Sequence, residues 1–421
     1  MSLQKKTFKV RSTCRLCDSN NLKLVLEMPS SQPVDNFRPV FSNHLKLESF
    51  EMSVFICKDC GHAQLLHVVD PNILYGNYIY ESSSSPDLNK HFLKYADYLF
   101  DEGYLQKDSK TLDVGSNDGL LLDFLKKKGV KTFGIDPAKK VAEISASKGH
   151  TIFCEYLNQN LVKKIKTSKI SPFDVITANN VFSHSDDLQT TLECITNLLS
   201  KEGVYIFEVS YLLDTLKNRV IDYIYHEHLS YHSVKSLIPF LKNKDLYVYD
   251  VIKIPTKGGS IRVICGKNKK KENIELINSM ISEEEAENIY SEETYTTIKN
   301  EILNSKNIVY DWIKKKKKIK KNVKFFGYGA SATGTVLCNI LGLDKFFSGI
   351  IDDNILRQNL LSPNSFLPTV SLESLIEENN IIIVILAWRF EEQIKKKIRE
   401  IIGKNVTIIC VKPKMYKIKE V

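Results

Sequence analysis

The densest concentration of proton-transfer groups in the chain is Asp222 to Ser233, DYIYHEHLSYHS. Three histidines, three tyrosines and a glutamate within this stretch are too many for an ordinary surface loop. The central spacing is His226-Glu227-His228, not HExxH, so a zinc-protease helix is excluded. An extended backbone would set His226 and His228 on one face, where they could share a metal ion. General acid–base chemistry is the sharper expectation. Further on, Gly258-Gly259-Ser260-Ile261-Arg262-Val263 reads as a strand with a close backbone approach. Its Arg262 could pair with a phosphate or with a carboxylate at the edge of the core.

Four cysteines are spaced for metal. Cys14-Arg15-Leu16-Cys17 and Cys57-Lys58-Asp59-Cys60 are two CxxC knuckles, and together they complete a tetrahedral zinc site. Four thiolates leave no open coordination position, so the expected role is structural. His62 and His67 lie near the second knuckle, but two complete pairs already fill the site. Neither CxxC opens a helix after a strand, which argues against redox chemistry.

These groups need elements to hold them. Lys110 to Pro137 reads as a strand (Thr111–Val114), a glycine-bounded turn (Gly115-Ser116-Asn117-Asp118-Gly119), a helix (Leu120–Lys128) and a second strand (Thr132–Ile135) ending in Asp136. This is the first unit of a nucleotide-binding α/β sheet. A carboxylate at Asp136 can accept hydrogen bonds from both hydroxyls of a ribose. The turn lacks the full GxGxxG, which favours S-adenosylmethionine over NAD. Asp113, Gly115, Asn117, Gly119, Asp136 and Asn179 are the expected cofactor residues. The strand Phe173–Ala178 ends at Asn179-Asn180-Val181-Phe182-Ser183-His184, which places Asn179, Asn180 and His184 at the mouth of the site. Before the sheet, three tyrosines and four serines between Tyr75 and Pro86 form a binding loop, and the helix after it presents His91, Tyr95 and Tyr98 on a partly buried face.

The last region starts with a long polar helical segment, Ile274 to Lys321. Its terminal lysine run is a solvated face without the aromatic interleaving of a nucleic-acid binder. Then Val323–Tyr328 leads into Gly327-Tyr328-Gly329-Ala330-Ser331-Ala332-Thr333-Gly334. Ile350 to Asp353, Ile381 to Leu386 and Thr407 to Cys410 complete a second Rossmann-like sheet. The Ile381–Leu386 strand ends at Ala387-Trp388-Arg389.

The order of these motifs carries a resemblance: the double CxxC, YxYxSSxS at Tyr78 to Ser85, DVGSNDG, GIDP, NNVFSH, YHEH and GGSIRV. Together they resemble the zinc-containing, S-adenosylmethionine-dependent sugar C-methyltransferases, which act on nucleotide-linked keto-deoxysugars. The resemblance implies an α/β chain in three parts. These are a zinc-binding domain (1–70), a class I methyltransferase sheet carrying the YHEH segment (71–272), and a helical linker with a second Rossmann-like domain (273–421). It places acid–base work on Tyr225, Glu227 and His228, with His184 and Tyr78 or Tyr80 facing the sugar. Ser83, Asn180, Arg262 and Gly329 are assigned to the substrate. Lys257 stands before Gly258-Gly259 where relatives commonly carry histidine. Carbon methylation next to a ketone requires a stabilised enolate, which suits a base near neutral pKa such as His228. The implied setting is deoxysugar synthesis for a surface polysaccharide or natural product. Alternatives are O-methylation of a sugar or other small molecule, or NAD-dependent oxidation of a sugar nucleotide.

Composition agrees. The chain has 421 residues, about three average domains. The net charge of +9 is weak support for an anionic partner, which a nucleotide-linked sugar satisfies. No apolar run is long enough to span a bilayer, and the polar start lacks a signal-peptide core. The expectation is a cytoplasmic monomer with reduced cysteines and neither nucleic acid nor membrane as partner.

Overall fold

The computed structural model describes residues 7–42, 48–75, 81–404 and 406–420. Tyr78 and Tyr80 lie outside the described residues.

Short strands rich in branched apolar residues alternate with amphipathic helices through the middle of the chain, and they assemble as a seven-stranded sheet. Its order is Tyr247–Ile254, Ser260–Gly266, Leu199–Ser210, Phe173–Asn179, Lys110–Val114, Lys131–Ile135, Thr151–Phe153. Ser260–Gly266 runs antiparallel to both its neighbours, and the other strands are mutually parallel. The strand order reverses between Lys110–Val114 and Phe173–Asn179, which opens a crevice beyond their carboxyl ends. The helix after the glycine turn spans Leu120–Lys127. It buries Leu121, Leu122 and Leu125 and puts Lys126 and Lys127 at its carboxyl end, where the helix dipole favours cations. The helix Pro86–Asp101 starts on Ser85, whose side chain caps the Leu88 amide, and buries Tyr95 and Leu99 against the same sheet.

The N-terminal module is an antiparallel sheet in the order Ser230–Tyr231, Ala63–Leu65, Val54–Cys57, Leu22–Leu26. Its first strand comes from the histidine-rich segment. Arg15 fastens this module to the central sheet. Its fully buried guanidinium donates to Gln64 Oε1 (3.0 Å), the Leu65 carbonyl (2.6 Å) and Asp186 Oδ1 (3.1 Å). Breaking such a buried ion pair typically costs ~3–5 kcal/mol, because the remaining charge is left without a partner. Between the two knuckles a short strand, Arg38–Pro39, pairs with Leu360–Leu361 of the C-terminal region and then enters a 3-10 turn.

The C-terminal sheet is fully parallel, in the order Thr369–Val370, Phe347–Ile351, Lys324–Tyr328, Ile381–Ile385, Thr407–Cys410. Ahead of it, the long helical segment expected from Ile274 to Lys321 forms as two helices, Ile274–Ala286 and Glu292–Ile319. The break falls at Asn288, which takes a left-handed φ of 51°. There Ile289 turns into the core and the Tyr290 hydroxyl donates to the buried carboxylate of Glu284 (2.6 Å). Among the described residues, no helix is long and apolar enough to cross a membrane.

Candidate active site

A cavity of about 380 Å³ fills the crevice where the strand order reverses. That is within the ~300–1,000 Å³ range of small-molecule sites. Gly115, Asn117, Asp136 and Asn179 line it from the strand ends. Tyr75, Ser82, Asn180, His184 and Lys257 also line it. Gly115 has φ +74°, and a Cβ there would come within 2.3 Å of Val181 Cγ2, so only glycine fits. Asp136 accepts the amide hydrogens of Asn117 and Ala138, each at 2.9 Å. Those bonds aim the carboxylate without using all its lone pairs. Burial lifts Asp136 above its ordinary range, opposed by the same two amides.

The other expected cofactor residues play different parts. Asp113 is buried and off the cavity wall, and accepts from the Thr177 hydroxyl (2.6 Å) and more weakly from the Asn179 amide (3.4 Å). Burial pushes it up to about 7. Gly119 faces away from the cavity, towards Ser145 and His150. A Cβ there would press on Ser145 Oγ at 2.4 Å, so this glycine serves helix packing. The residues on the cavity wall fit the adenosyl and ribose parts of S-adenosylmethionine: a ribose-reading carboxylate, a side-chain-free turn and apolar Ile135 and Leu157 beside them.

Next to the cavity stands the histidine-rich segment. His228 Nδ1 lies 2.7 Å from the Tyr223 carbonyl. A carbonyl only accepts, so Nδ1 carries the hydrogen and Nε2 keeps a lone pair. The imidazole is held between rings. Tyr225 lies 4.2 Å away, His184 5.2 Å, and Tyr223 is nearly parallel at 5.7 Å. Tyr225, Glu227 and His228 each retain 8% exposure, so the group still meets accessible space. Burial pushes His228 down to about 4, against its bond to Tyr223, so it is a weaker base than the near-neutral imidazole expected from the sequence; burial pushes Glu227 up to about 8. His184 is also held well below its ordinary value by burial, and its Nε2 has no hydrogen-bond partner among the described residues.

His226 does not share a metal with His228. The segment turns here, and His226 Nε2 donates to the Phe50 carbonyl of the N-terminal module (3.1 Å). Ser230–Tyr231, four residues later, pairs with Ala63–Leu65. Thus residues 226 to 231 are fastened to the N-terminal module.

Lys257 also reaches the site, as one of the residues lining the cavity. It takes a left-handed backbone (φ 56°, ψ 24°) in the turn that Gly258 and Gly259 complete. Burial pushes its ammonium down to about 8, while Glu208 and Glu227 pull the other way. Its position before two glycines was the only signal for it in the sequence.

Three residues assigned to the substrate lie off the cavity. Arg262 is buried on Glu208, with Nε donating at 2.8 Å, and its guanidinium covers the Tyr95 ring at 3.6 Å. His91 Nε2 occupies the other oxygen of Glu208 at 2.8 Å. Of the two readings of Arg262, the core-edge carboxylate is the one realised. Ser83 is exposed, and its amide donates to Asp118 Oδ2. Gly329 sits in the C-terminal turn, where a Cβ would strike Ala387 at 2.7 Å. The acid of that second turn, Asp352, accepts the Ala330 amide (2.8 Å).

The four knuckle cysteines converge as their spacing predicts. All four sulfurs lie within 4.8 Å of one another, and the Cys14–Cys60 and Cys17–Cys57 pairs are each 3.6 Å apart. A tetrahedron with Zn–S bonds of ~2.3 Å has sulfur–sulfur edges of about 3.8 Å, so the thiolates fit zinc. His62 and His67 stay outside this group. His62 pairs with Ser230 and His67 faces Glu51.

Three family models tile the chain. A zinc binding domain matches residues 14–75, a methyltransferase domain residues 88–251, and the C-methyltransferase C-terminal domain residues 255–413. The chain is 26% identical to C-methyltransferase NovU of Streptomyces niveus over 386 residues, 90% of either chain. It is 30% identical to the mitochondrial ubiquinone biosynthesis O-methyltransferase of Bos taurus over 100 residues, 22% of this chain and 26% of that one. Among solved structures it resembles the magnesium protoporphyrin IX methyltransferase of Synechocystis PCC 6803, with a TM-score of 0.35 and 14% identity, over 43% of this chain and 83% of that one.

Proposed function

This chain is an S-adenosylmethionine-dependent methyltransferase with a zinc-binding module and a C-methyltransferase C-terminal domain, and on that basis we propose that it methylates the carbon beside the ketone of a nucleotide-linked keto-deoxysugar. The observation that carries this reading is the His228 imidazole. Its Nδ1–H is committed to the Tyr223 carbonyl, which leaves the Nε2 lone pair free of that bond, and its ring packs 5.2 Å from His184, which lines the cavity. O-methylation needs no such carbon base.

In the proposed reaction, Nε2 of His228 removes the proton from the carbon next to the ketone, and the C–H electron pair becomes the enolate. His184, Tyr225 and the Lys257 ammonium stabilise the enolate oxygen. Glu227, held protonated at neutral pH by burial, adds no competing negative charge. Asp136, Asn117 and Gly115 would hold S-adenosylmethionine, which supplies an electrophilic methyl group when bound. The zinc is structural and sits apart from this chemistry. We place the module boundaries near residues 70 and 272, and we read the enzyme as a cytoplasmic monomer acting on a soluble, anionic substrate.

The test is incubation with S-adenosylmethionine and nucleotide-linked 4-keto-6-deoxyhexoses in deuterated water. A product heavier by one CH₂, with deuterium exchange at the carbon beside the ketone, is the expected result. His228→Ala should abolish the exchange. Methyl transfer to oxygen without exchange would replace this reading with O-methylation.

A further inference from the structure

Asp222 opens the histidine-rich segment, and its side chain is fully buried. Its carboxylate belongs to the central region, but the donors that satisfy it come from the C-terminal sheet. Arg389 Nη2 donates to Oδ1 at 2.7 Å and Nη1 to Oδ2 at 2.9 Å. Trp388 Nε1 adds a third bond to Oδ2 at 3.1 Å. This is a two-pronged guanidinium–carboxylate pair with an indole closing one side, a geometry that fixes orientation as well as charge.

The contact is placed where it matters for the base. Trp388 and Arg389 follow the carboxyl end of Ile381–Ile385, beside the point where the order of the second sheet reverses. Open α/β sheets usually receive a ligand there, and here it is a protein carboxylate that arrives. The guanidinium also lies over the Tyr223 ring at 4.8 Å. Tyr223 is the residue whose carbonyl accepts from His228 Nδ1 and whose ring lies 7° from parallel with that imidazole. A continuous line of contacts therefore runs from Arg389 through Asp222 and Tyr223 to His228.

We propose that Arg389 and Trp388 are positioning residues for His228: by fixing Asp222 they hold the Tyr223 carbonyl in place, which keeps Nδ1 protonated and Nε2 available as the proton acceptor. The proposal rests on the reading of His228 as the base. The C-terminal sheet thus completes the reaction centre without touching the methyl donor.

The test compares Arg389→Gln, Arg389→Lys and the parent protein, each as full-length, zinc-loaded chain with S-adenosylmethionine bound. The ¹⁵N spectrum of His228 reads its tautomer directly, without turnover. The parent should show a single Nδ1–H form. Arg389→Gln should show mixed tautomers and lower the rate of carbon exchange about tenfold or more, with S-adenosylmethionine affinity unchanged. Its acid limb of exchange should move up, as the loosened imidazole regains water. Arg389→Lys should fall between the two, because it keeps the charge but loses the fork. A single Nδ1–H form and parent-like exchange in Arg389→Gln, with only a lowered melting temperature, would overturn the proposal. So would the same pair of results in Arg389→Lys, should Arg389→Gln fail to fold. If instead His228→Ala retained exchange while the tautomer still followed Arg389, the base assignment would fail and the positioning contact would stand.

Discussion

His184 and His228 lie side by side with ring centroids 5.2 Å apart, His228 buried and His184 half-buried, and both held neutral. Burial pushes His228 down to about 4, so its Nε2 stays unprotonated through the neutral range. Glu227 and Lys257 both titrate near 8. Above that pH, Glu227 gains a negative charge and Lys257 loses its positive one. Both changes oppose an enolate. The exchange rate should therefore be flat between about pH 5 and 7.5, fall as the pH drops towards about 4, and fall again above about 8. A pH–rate profile of exchange checks this. An acid limb near the ordinary imidazole value would mean that His228 is solvated.

Lys257 supplies the positive charge on the cavity wall. Lys257→Met should lower the exchange rate by roughly 10–100-fold, in keeping with the loss of one electrostatic contact to a developing oxyanion. Lys257→Arg should recover part of it. S-adenosylmethionine affinity, measured by calorimetry, should not change in either.

Asp136 governs the cofactor end of the cavity. Asp136→Ala removes a charged acceptor worth about 1.5–3 kcal/mol, so the dissociation constant for S-adenosylmethionine should rise roughly 10–100-fold. Gly115→Ala should be at least as damaging, because its Cβ would displace Val181 and its left-handed φ disfavours a side chain. Binding calorimetry on both variants decides this.

Zinc removal should reach the reaction centre through the N-terminal sheet. Cys57 ends the strand Val54–Cys57, which pairs with Ala63–Leu65, which in turn pairs with Ser230–Tyr231 of the histidine-rich segment. Chelation or Cys57→Ser should release about one zinc per chain and abolish exchange. Binding of S-adenosylmethionine should persist, since its residues lie on another sheet. Metal analysis beside calorimetry tests both halves.

The parts readable in the sequence are those set by neighbours along the chain. The turn at Gly115 to Gly119, the acid at Asp136 and the two CxxC knuckles each lie within one strand–turn–helix unit or one metal site, so spacing alone locates them. The strand Thr407–Cys410 is found to the residue. What escaped depends on partners far away in sequence. Arg262 could have met a phosphate or a carboxylate, and only the fold brings Glu208 beside it. His226 and His228 look equivalent until the segment turns, sending one to Phe50 and the other to Tyr223. Asp222 and Arg389 are 167 residues apart, and no periodicity links them. Lys257 acquires its place from a strained turn whose two glycines were visible but whose direction was not.

The Asp222–Arg389 pair also sets an order on the growing chain. Every strand of the central sheet has been made once residue 266 is complete, so the cofactor cavity can form early. Asp222 is then a carboxylate awaiting burial, and its guanidinium is still more than a hundred residues from synthesis. A nascent chain could capture the methyl donor well before it could deprotonate a sugar. Premature termination anywhere in that interval would leave Asp222 without the Arg389 and Trp388 donors that satisfy it.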